Sequence, residues 1–386
     1  MNEKISTRII FFIAGLVTAT WAVLVPYAKS NTNINDASLG TLLLCLGLGA
    51  MIAMPVTGAL TSRYGCRKVI TAAVLVIIIS VPFLSFLSSP LLLGAGLLIF
   101  GVSIGITDCA MNVQAILVEK SADKSLMSGF HGMYSVGGIA GAGAMTGLLH
   151  LGLTAITSTI IMCVAVFLLL MISVHKLLPY ANPAEGPAFA VPKGIVLVLG
   201  LICFIIFMAE GTVLDWSAVY LVEKINISES LGGLGFAAFA AAMTAGRLSG
   251  DYIIEKLGAF KVVLSGTAIA ILGFILVIHS IEFTLILIGY SLIGAGCSNI
   301  VPVMFSQIGK QSTMPQMVAV PAVTTLGYIG VLAGPAIIGY ISHHSSITYG
   351  FVFITTLILC AAILSYAIKN ILRATPRYKL AFMAIK

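Results

Sequence analysis

The sequence predicts an all-α membrane protein in which twelve transmembrane helices form two pseudo-symmetric six-helix bundles. Of its 386 residues, 59% are hydrophobic and only 9% are charged, whereas an ordinary soluble domain is about 25% charged. The apolar residues form continuous runs, and a bilayer core about 30 Å thick needs about 20 such residues per helical span. A proline-rich segment divides the runs into six and six.

The predicted spans follow one another with short connections. Because the runs are continuous and do not alternate strictly with polar residues, they indicate helices and not the strands of a membrane barrel. The first run resembles a signal peptide but lacks a clean cleavage site between small residues, so it is counted as a span. The spans are 8–28, 37–60, 69–88, 91–118, 126–150, 153–175, 194–222, 229–253, 260–279, 284–308, 316–342 and 347–370.

Residues 176–193, KLLPYANPAEGPAFAVPK, contain four prolines and interrupt the hydropathy. They predict a cytoplasmic linker between an N-terminal bundle, residues 1–175, and a C-terminal bundle with a short basic tail, residues 194–386. The halves echo each other: SRYGCRK follows the second span and EKLGAFK follows the eighth, which aligns Gly65 with Gly258. Parallel six-helix repeats are typical of transporters that bind a solute near the membrane midplane.

Positive charge predicts the orientation. With the N-terminus inside, eighteen of the twenty Lys and Arg residues fall at or near the cytoplasmic side, and only Lys29 and Lys224 fall outside. This asymmetry follows the positive-inside rule and places both termini in the cytoplasm. The net charge of +7 therefore reflects topology and contact with anionic lipids, and it does not indicate nucleic-acid binding. The expected partners are a small-molecule solute and membrane lipids, and the expected state is a monomer.

The cysteines and the catalytic motifs argue against other classes of protein. None of the seven cysteines lies in a predicted outer loop, and no pair has metal-ligand spacing, so they are expected to be packing residues. An intramembrane hydrolase would need a nucleophile with a base or a ligated metal, and the sequence contains neither G-x-S-x-G nor H-E-x-x-H. We therefore expect no enzymatic activity, no metal and no cofactor.

The loop after the second span carries a recognisable motif. GALTSRYGCRK, residues 58–68, resembles the cytoplasmic G-x-x-x-x-R-x-G loop of the major facilitator superfamily, as do the twelve spans and the central linker. The resemblance implies a gating role for Arg63. The sequence departs from the family pattern at Ser62, where the family usually has Asp. This departure weakens the expectation that the loop braces a gate in the first half.

The second copy of the loop keeps an acid, Glu255. It follows GRLSGD, in which Arg247 and Asp251 lie one helical turn apart. The resemblance therefore implies that Arg247, Asp251 and Glu255 form the gate brace of the second half.

Three shorter stretches resemble a narrower group. Asp108-Cys-Ala-Met-Asn112 resembles the Glu-x-x-x-Asn of fucose-permease-like sugar–proton symporters, and NIVPVMFSQIGK, residues 299–310, resembles the same group's Pro-x-x-Phe-Ser stretch. EGTVLDWSAVYL and FHGMYS resemble a poorly characterised bacterial inner-membrane branch beside it. The resemblance implies location in the inner membrane and proton-coupled transport.

Asp108 is the first candidate for proton coupling. It lies about ten residues from the inner end of its span, which is near the middle of the membrane at about 1.5 Å per residue. Asn112, four residues on, shares its helix face and is a candidate solute ligand. Burial favours the neutral form of an isolated carboxylate, so such a group can load and unload a proton. A polar clamp between helices is the alternative.

Glu210 and Asp215 lie in one span, 194–222. Five residues along a helix rotate by about 140°, so the two acids do not share a face. Glu210 is near the midplane and is expected to bind a proton or solute, with an interhelical hydrogen bond as the alternative. Asp215 is nearer the outer mouth and is expected to act in gating or as a structural cap.

The remaining candidates are aromatic and polar side chains. Trp216, beside the two acids, is expected to stack against a solute ring, and Trp21 either does the same or belongs to an interfacial belt. Tyr134 and Asn299 are expected to contact solute. His131 is expected either to pack by hydrogen bonding or to serve as a pH-dependent cytoplasmic gate.

These features favour a secondary active transporter that moves a small polar solute, sugar-like or a related metabolite, by proton-coupled symport and alternating access. The alternative is a proton-coupled efflux antiporter of drugs or metabolites. Polar residues at mid-membrane depth favour a polar solute and therefore the symporter.

Overall fold

The computed structural model describes residues 2–34, 36–182, 191–227 and 229–374. In these ranges the regular secondary structure is helical. The helices are α1 (Glu3–Thr32), α2 (Asp36–Leu84), α3 (Pro90–Ala122), α4 (Met127–His150), α5 (Ala155–Val174), α6 (Ile195–Ile225), α7 (Glu229–Gly232), α8 (Leu234–Leu257), α9 (Ala259–His279), α10 (Phe283–Cys297), α11 (Ile300–Lys310), α12 (Gln316–His344) and α13 (Ile347–Ala374).

These helices confirm the prediction of an all-helical membrane protein. In the described ranges, nine helical segments are long and apolar enough to cross a membrane, and one of them, Ser38–Leu84, contains two predicted spans. The other predicted spans correspond to α4, which is rich in glycine, and to α8, which carries several charged residues. The arrangement is consistent with twelve spans.

Glycine makes the turn between spans at the same place in each half. At Gly65 the backbone of α2 turns with φ 80° and ψ 156°, and Gly258, between α8 and α9, has φ 84° and ψ 142°. Residues other than glycine rarely adopt these backbone angles, because a Cβ atom would clash with the backbone. Gly65 and Gly258, which the two loop motifs align, therefore also have similar backbone angles.

Side chains satisfy the free N–H groups at several helix starts. Asn2 accepts from the Ile5 amide at 3.1 Å, and Thr154 accepts from the Thr157 amide at 3.2 Å. Glu119, from α3, accepts from the amides of Leu126 and Met127, both at 2.8 Å, and so caps α4. Each of these bonds meets the need of a helix N-terminus for acceptors.

The chain divides by its internal contacts into two compact units. The first unit comprises Met1–Val191 and Ile308–Thr325, and the second comprises Pro192–Gln307 and Leu326–Lys386. The segment 308–325 joins the first unit through contacts such as the one between the Thr61 hydroxyl and the Met317 sulfur at 3.8 Å. The predicted boundaries at 1–175, 176–193 and 194–386 stay a prediction. Residues 183–190 of the predicted linker and 375–386 of the basic tail lie outside the described residues.

The first residues of the predicted linker are packed against the first unit. Arg67 donates from Nε to the Leu177 carbonyl and from its guanidinium to the His175 carbonyl, both at 2.9 Å. The Arg67 amide donates to the Leu178 carbonyl at 2.8 Å. Gln114, fully buried in α3, accepts from the Leu178 amide at 3.1 Å. This segment is therefore part of the folded unit.

Candidate functional site

The first polar site lies on α3 and contains Asp108 and Asn112. The Asn112 side-chain amide donates to the Asp108 backbone carbonyl, one helical turn away, at 2.8 Å. The Asp108 carboxylate is half-buried, and in the described residues it has no hydrogen bond or ion pair. A carboxylate in such a place is stable as the neutral acid or in contact with water or a ligand.

Asn112 also has unused hydrogen-bonding capacity. It is 4% exposed, and its side-chain oxygen has no partner among the described residues. Buried polar atoms are normally satisfied, so an orphaned acceptor needs an explanation such as a site for a ligand or water. The site on α3 thus offers an acid and an amide oxygen to a donor.

The second polar site is an ion pair within the second unit. The guanidinium of Arg247, on α8, lies 3.3 and 3.4 Å from the two carboxylate oxygens of Glu210, on α6. The Arg247 side chain is 8% exposed and the Glu210 side chain 18% exposed. A charge buried to this extent is costly without a counter-charge, so each residue stabilises the other.

A break between α10 and α11 completes this second site. The predicted span 284–308 is interrupted at Ser298 and Asn299. The Ser298 carbonyl accepts from Arg247 Nε at 3.3 Å. The Asn299 side chain donates to the Gly246 carbonyl and to the Ser298 hydroxyl, both at 3.0 Å. The Ser298 backbone stays helical, with φ −49° and ψ −43°, but Pro302, four residues on, has no N–H to donate to the Ser298 carbonyl. The Arg247 side chain supplies that donor.

The predicted gate residues differ in their contacts and in their exposure. Arg247 contacts Glu210, so the residue expected in a brace meets the residue expected to bind a proton or solute. Asp251 is half-buried one turn along α8, and Glu255 is exposed near its end. Arg63, in the first unit, is exposed, with its guanidinium 5.3 Å from the ring centre of Tyr64. Their gating roles stay predictions.

Trp216 has a well-defined packing role. Its Nε1 donates to the Pro335 carbonyl of α12 at 3.2 Å, which links α6 to α12. Asp215, beside it, is exposed, and Ser217 is fully buried with a hydroxyl that has no partner in the described residues. The stacking of Trp216 on a solute and the gating role of Asp215 stay predictions.

The other aromatic candidates lie in the first unit. Trp21 is 5% exposed and meets Phe100 edge-on at 6.2 Å between ring centres, which places it within the helix packing of this unit. His131 meets the ring of Phe11 at 5.2 Å. Tyr134, one turn further along α4, is half-buried. None of these contacts tests a role in solute binding or gating.

Sequence reasoning missed three polar residues that organise the units. Glu119 caps α4, Gln114 ties α3 to the start of the linker, and Ser298 offers its carbonyl to Arg247. Glu119 and Gln114 carried a signal, since each is a polar residue near the end of a long apolar span. Ser298 carried a signal in Pro302, four residues on, which has no N–H to donate to the Ser298 carbonyl.

The described residues offer no metal site. In these parts of the chain, no group of three or more His, Cys, Asp or Glu side chains is placed to hold a metal ion. The seven cysteines are free thiols. Burial raises the pKa of the Cys66 thiol, between the second and third predicted spans, to about 12, so it stays protonated and unreactive.

The apolar helices describe a multi-pass membrane protein, and comparison with known families gives its class. The model of the Major Facilitator Superfamily matches residues 8–310 and 199–381. The chain belongs to this superfamily and is a transporter rather than an enzyme. An uncharacterised MFS-type transporter of Yersinia pestis is 46% identical over 363 residues, which are 94% of each chain.

Solved structures of sugar transporters share the fold. The E. coli fucose:proton symporter FucP matches with a TM-score of 0.78 at 14% identity, over 94% of this chain and 97% of FucP. The proton:xylose symporter XylE matches with a TM-score of 0.77 at 12% identity, over 95% of this chain and 94% of XylE. At these identities the likeness concerns the fold alone.

Proposed function

We propose that this transporter takes up a small polar, sugar-like solute together with a proton. It works by alternating access in the inner membrane, with both termini in the cytoplasm, as a monomer and without a cofactor. The inward proton gradient supplies the energy.

The unpartnered carboxylate of Asp108 is the observation that carries the proposal. A carboxylate within a membrane-spanning helix costs roughly 2.5–3.5 kcal/mol on insertion scales. In the described residues, no cation or hydrogen-bond donor offsets that cost at Asp108. A group that is neutral when buried and ionised when water reaches it can carry a proton across.

The two asparagines support a solute that carries hydroxyl groups. Asn112 and Asn299 are 4% and 7% exposed, and each uses its amide nitrogen on a backbone carbonyl. Each side-chain oxygen has no partner in the described residues. A hydroxyl donor would satisfy such an acceptor. FucP and XylE, which share the fold, are described as fucose and xylose symporters.

Uptake by proteoliposomes tests the proposal. Purified protein is first screened by thermal shift against neutral monosaccharides, including fucose and xylose, and the sugar with the largest shift is used as the radiolabelled probe. An inward pH gradient should drive its accumulation. Asp108→Asn should abolish this accumulation yet retain exchange of the sugar between equal pools, because exchange moves no net proton.

Asp123→Asn is the matched control. Asp123 is on the same chain segment and undergoes the same change of acid to amide, but it lies beyond the end of α3 with φ 48°, a conformation that Asn tolerates. It should retain both activities. Accumulation by Asp108→Asn at the parent rate would disprove proton carriage by this residue. Solute loss driven by the same gradient would instead establish the efflux antiporter.

A further inference from the structure

A groove on the first unit has no place in the proposed transport cycle. It lies between the two halves of α2 and the middle of α3, and its volume is about 470 Å³. Its wall includes Ala72, Ala73 and Val76 from α2 and Leu98 from α3, and one end is formed by Tyr64 and Lys68. The groove is therefore apolar along its length and cationic at one end.

Small side chains create the groove. Ala72 and Ala73 line the groove from α2 with only a methyl group each. Ser103, the polar residue of the wall on α3, donates its hydroxyl to the Ile99 carbonyl of its own helix at 3.0 Å. Since that hydroxyl is already bonded, the wall offers little to a polar solute and suits hydrocarbon.

The charged end retains its binding capacity. Lys68 is exposed, and in the described residues its ammonium group has no hydrogen bond or ion pair. Arg67 beside it differs, because its guanidinium is bonded to the carbonyls of the 175–178 segment. Arg63 stands over the ring of Tyr64 and adds a second positive charge near this end.

The groove extends over most of the depth of one leaflet, since half of a hydrocarbon core about 30 Å thick is about 15 Å. Lys68 and Val76 are eight residues apart on α2, which is about 12 Å at about 1.5 Å per residue. Lys68 lies at the end that the distribution of charge assigns to the cytoplasm, where anionic headgroups attract basic residues. The apolar part thus extends from headgroup level towards the middle of the bilayer.

We infer that this groove binds an anionic glycerophospholipid of the cytoplasmic leaflet. One acyl chain lies against Ala72, Ala73 and Leu98, and the phosphate pairs with Lys68 beside the Tyr64 hydroxyl. A helix from a second copy of the chain could pack against the apolar wall, but it would supply no anionic group to Lys68. The ionic end therefore favours the lipid.

Native mass spectrometry of the full chain in detergent can test this site with dioleoyl phosphatidylglycerol, against dioleoyl phosphatidylcholine as the zwitterionic comparison. The parent should bind the anionic lipid more tightly. Lys68→Gln should weaken phosphatidylglycerol binding about fivefold, the effect expected for one lysine near an anionic headgroup. Ala72→Leu should weaken the binding of both lipids because it fills the groove.

Lys256→Gln is the matched control. Lys256 is an exposed lysine beside a tyrosine ring, 4.4 Å from the centre of Tyr252, in the second unit. It corresponds to Arg63 in the repeated loop and is not part of the groove wall. It should leave lipid binding unchanged. Equal weakening by Lys256→Gln, equal affinity for the two lipids, an unaffected Ala72→Leu variant, or dimers in place of bound lipid would each overturn the inference.

Discussion

Asp108 in the first unit and Glu210 in the second both lie in helices that cross the membrane, and their surroundings differ. Glu210 is held by Arg247 at 3.3 Å. Asp108 has no such partner in the described residues, and Asn112, one turn on, donates to its backbone carbonyl and not to its carboxylate. The asparagines are alike, because Asn112 and Asn299 each leave a buried side-chain oxygen without a partner.

The difference separates two ways to keep an acid inside a membrane. A paired acid can remain ionised, and removing its partner leaves an uncompensated charge. An isolated acid is stable when neutral, and its ionisation depends on access to water. The first arrangement suits a fixed element of structure and the second suits a group that changes its protonation. Measurements of stability and transport in matched variants therefore test whether Asp108 and Glu210 differ in this way.

Removal of Arg247 should give the largest loss of stability. Arg247→Leu leaves Glu210 without its counter-charge and the Ser298 carbonyl without a donor. Breaking a buried pair from one side costs about 3–5 kcal/mol. The free energy of unfolding should fall by that amount. The drop in the midpoint temperature of thermal unfolding in detergent measures this loss.

The double variant Glu210→Gln/Arg247→Leu is the control for this prediction. It removes both charges, so it should recover a large part of the stability that Arg247→Leu loses. If the double variant unfolds as early as the single variant, the pair does not compensate charge in the way proposed.

The two glycine turns give a second comparison between the halves, with a smaller effect. Gly65→Ala and Gly258→Ala place a methyl group on a backbone with φ near 80°, at a cost of about 1–3 kcal/mol each. At Gly65 the new Cβ would also collide with the Pro179 carbonyl, whereas at Gly258 nothing lies within 4 Å. Gly65→Ala should therefore lower the unfolding midpoint more. Equal midpoints would show that the 175–180 segment yields freely.

Much of the fold follows from local sequence signals. Runs of apolar residues long enough for a span have few other places to fold, so the predicted spans coincide with the helices. The loop motifs also aligned Gly65 with Gly258, because a turn of that shape needs glycine in each half. Hydropathy does not show the interruption at Ser298 and Asn299, but Pro302 does signal it, because a proline four residues on has no N–H for the Ser298 carbonyl.

The sites were predictable only where their contacts are local. Asp108 and Asn112 are four residues apart, and helix geometry alone predicts that they share a face. Glu210 and Arg247 lie on different helices, and the sequence indicates only that each charge needs a partner. The pattern in GRLSGD favoured a brace of Arg247 with Asp251, which stays a prediction, and the contact of Arg247 with Glu210 carried no local signal. Packing between helices decides such pairs.

Neutralisation of Asp108 should have the smallest effect on stability and a decisive effect on transport. Asp108→Asn preserves size and removes no hydrogen-bond or ion-pair partner from any described residue. Because none of the usual causes of large destabilisation applies, the free energy of unfolding should change by less than about 1 kcal/mol. Glu210→Gln makes the same change of acid to amide but removes a buried carboxylate that lies 3.3 Å from the Arg247 guanidinium, so it should be clearly less stable. Unfolding midpoints of both variants in one detergent measure this contrast. If Asp108→Asn is the less stable of the two, Asp108 has a structural partner and the isolated acid is the wrong description of this site.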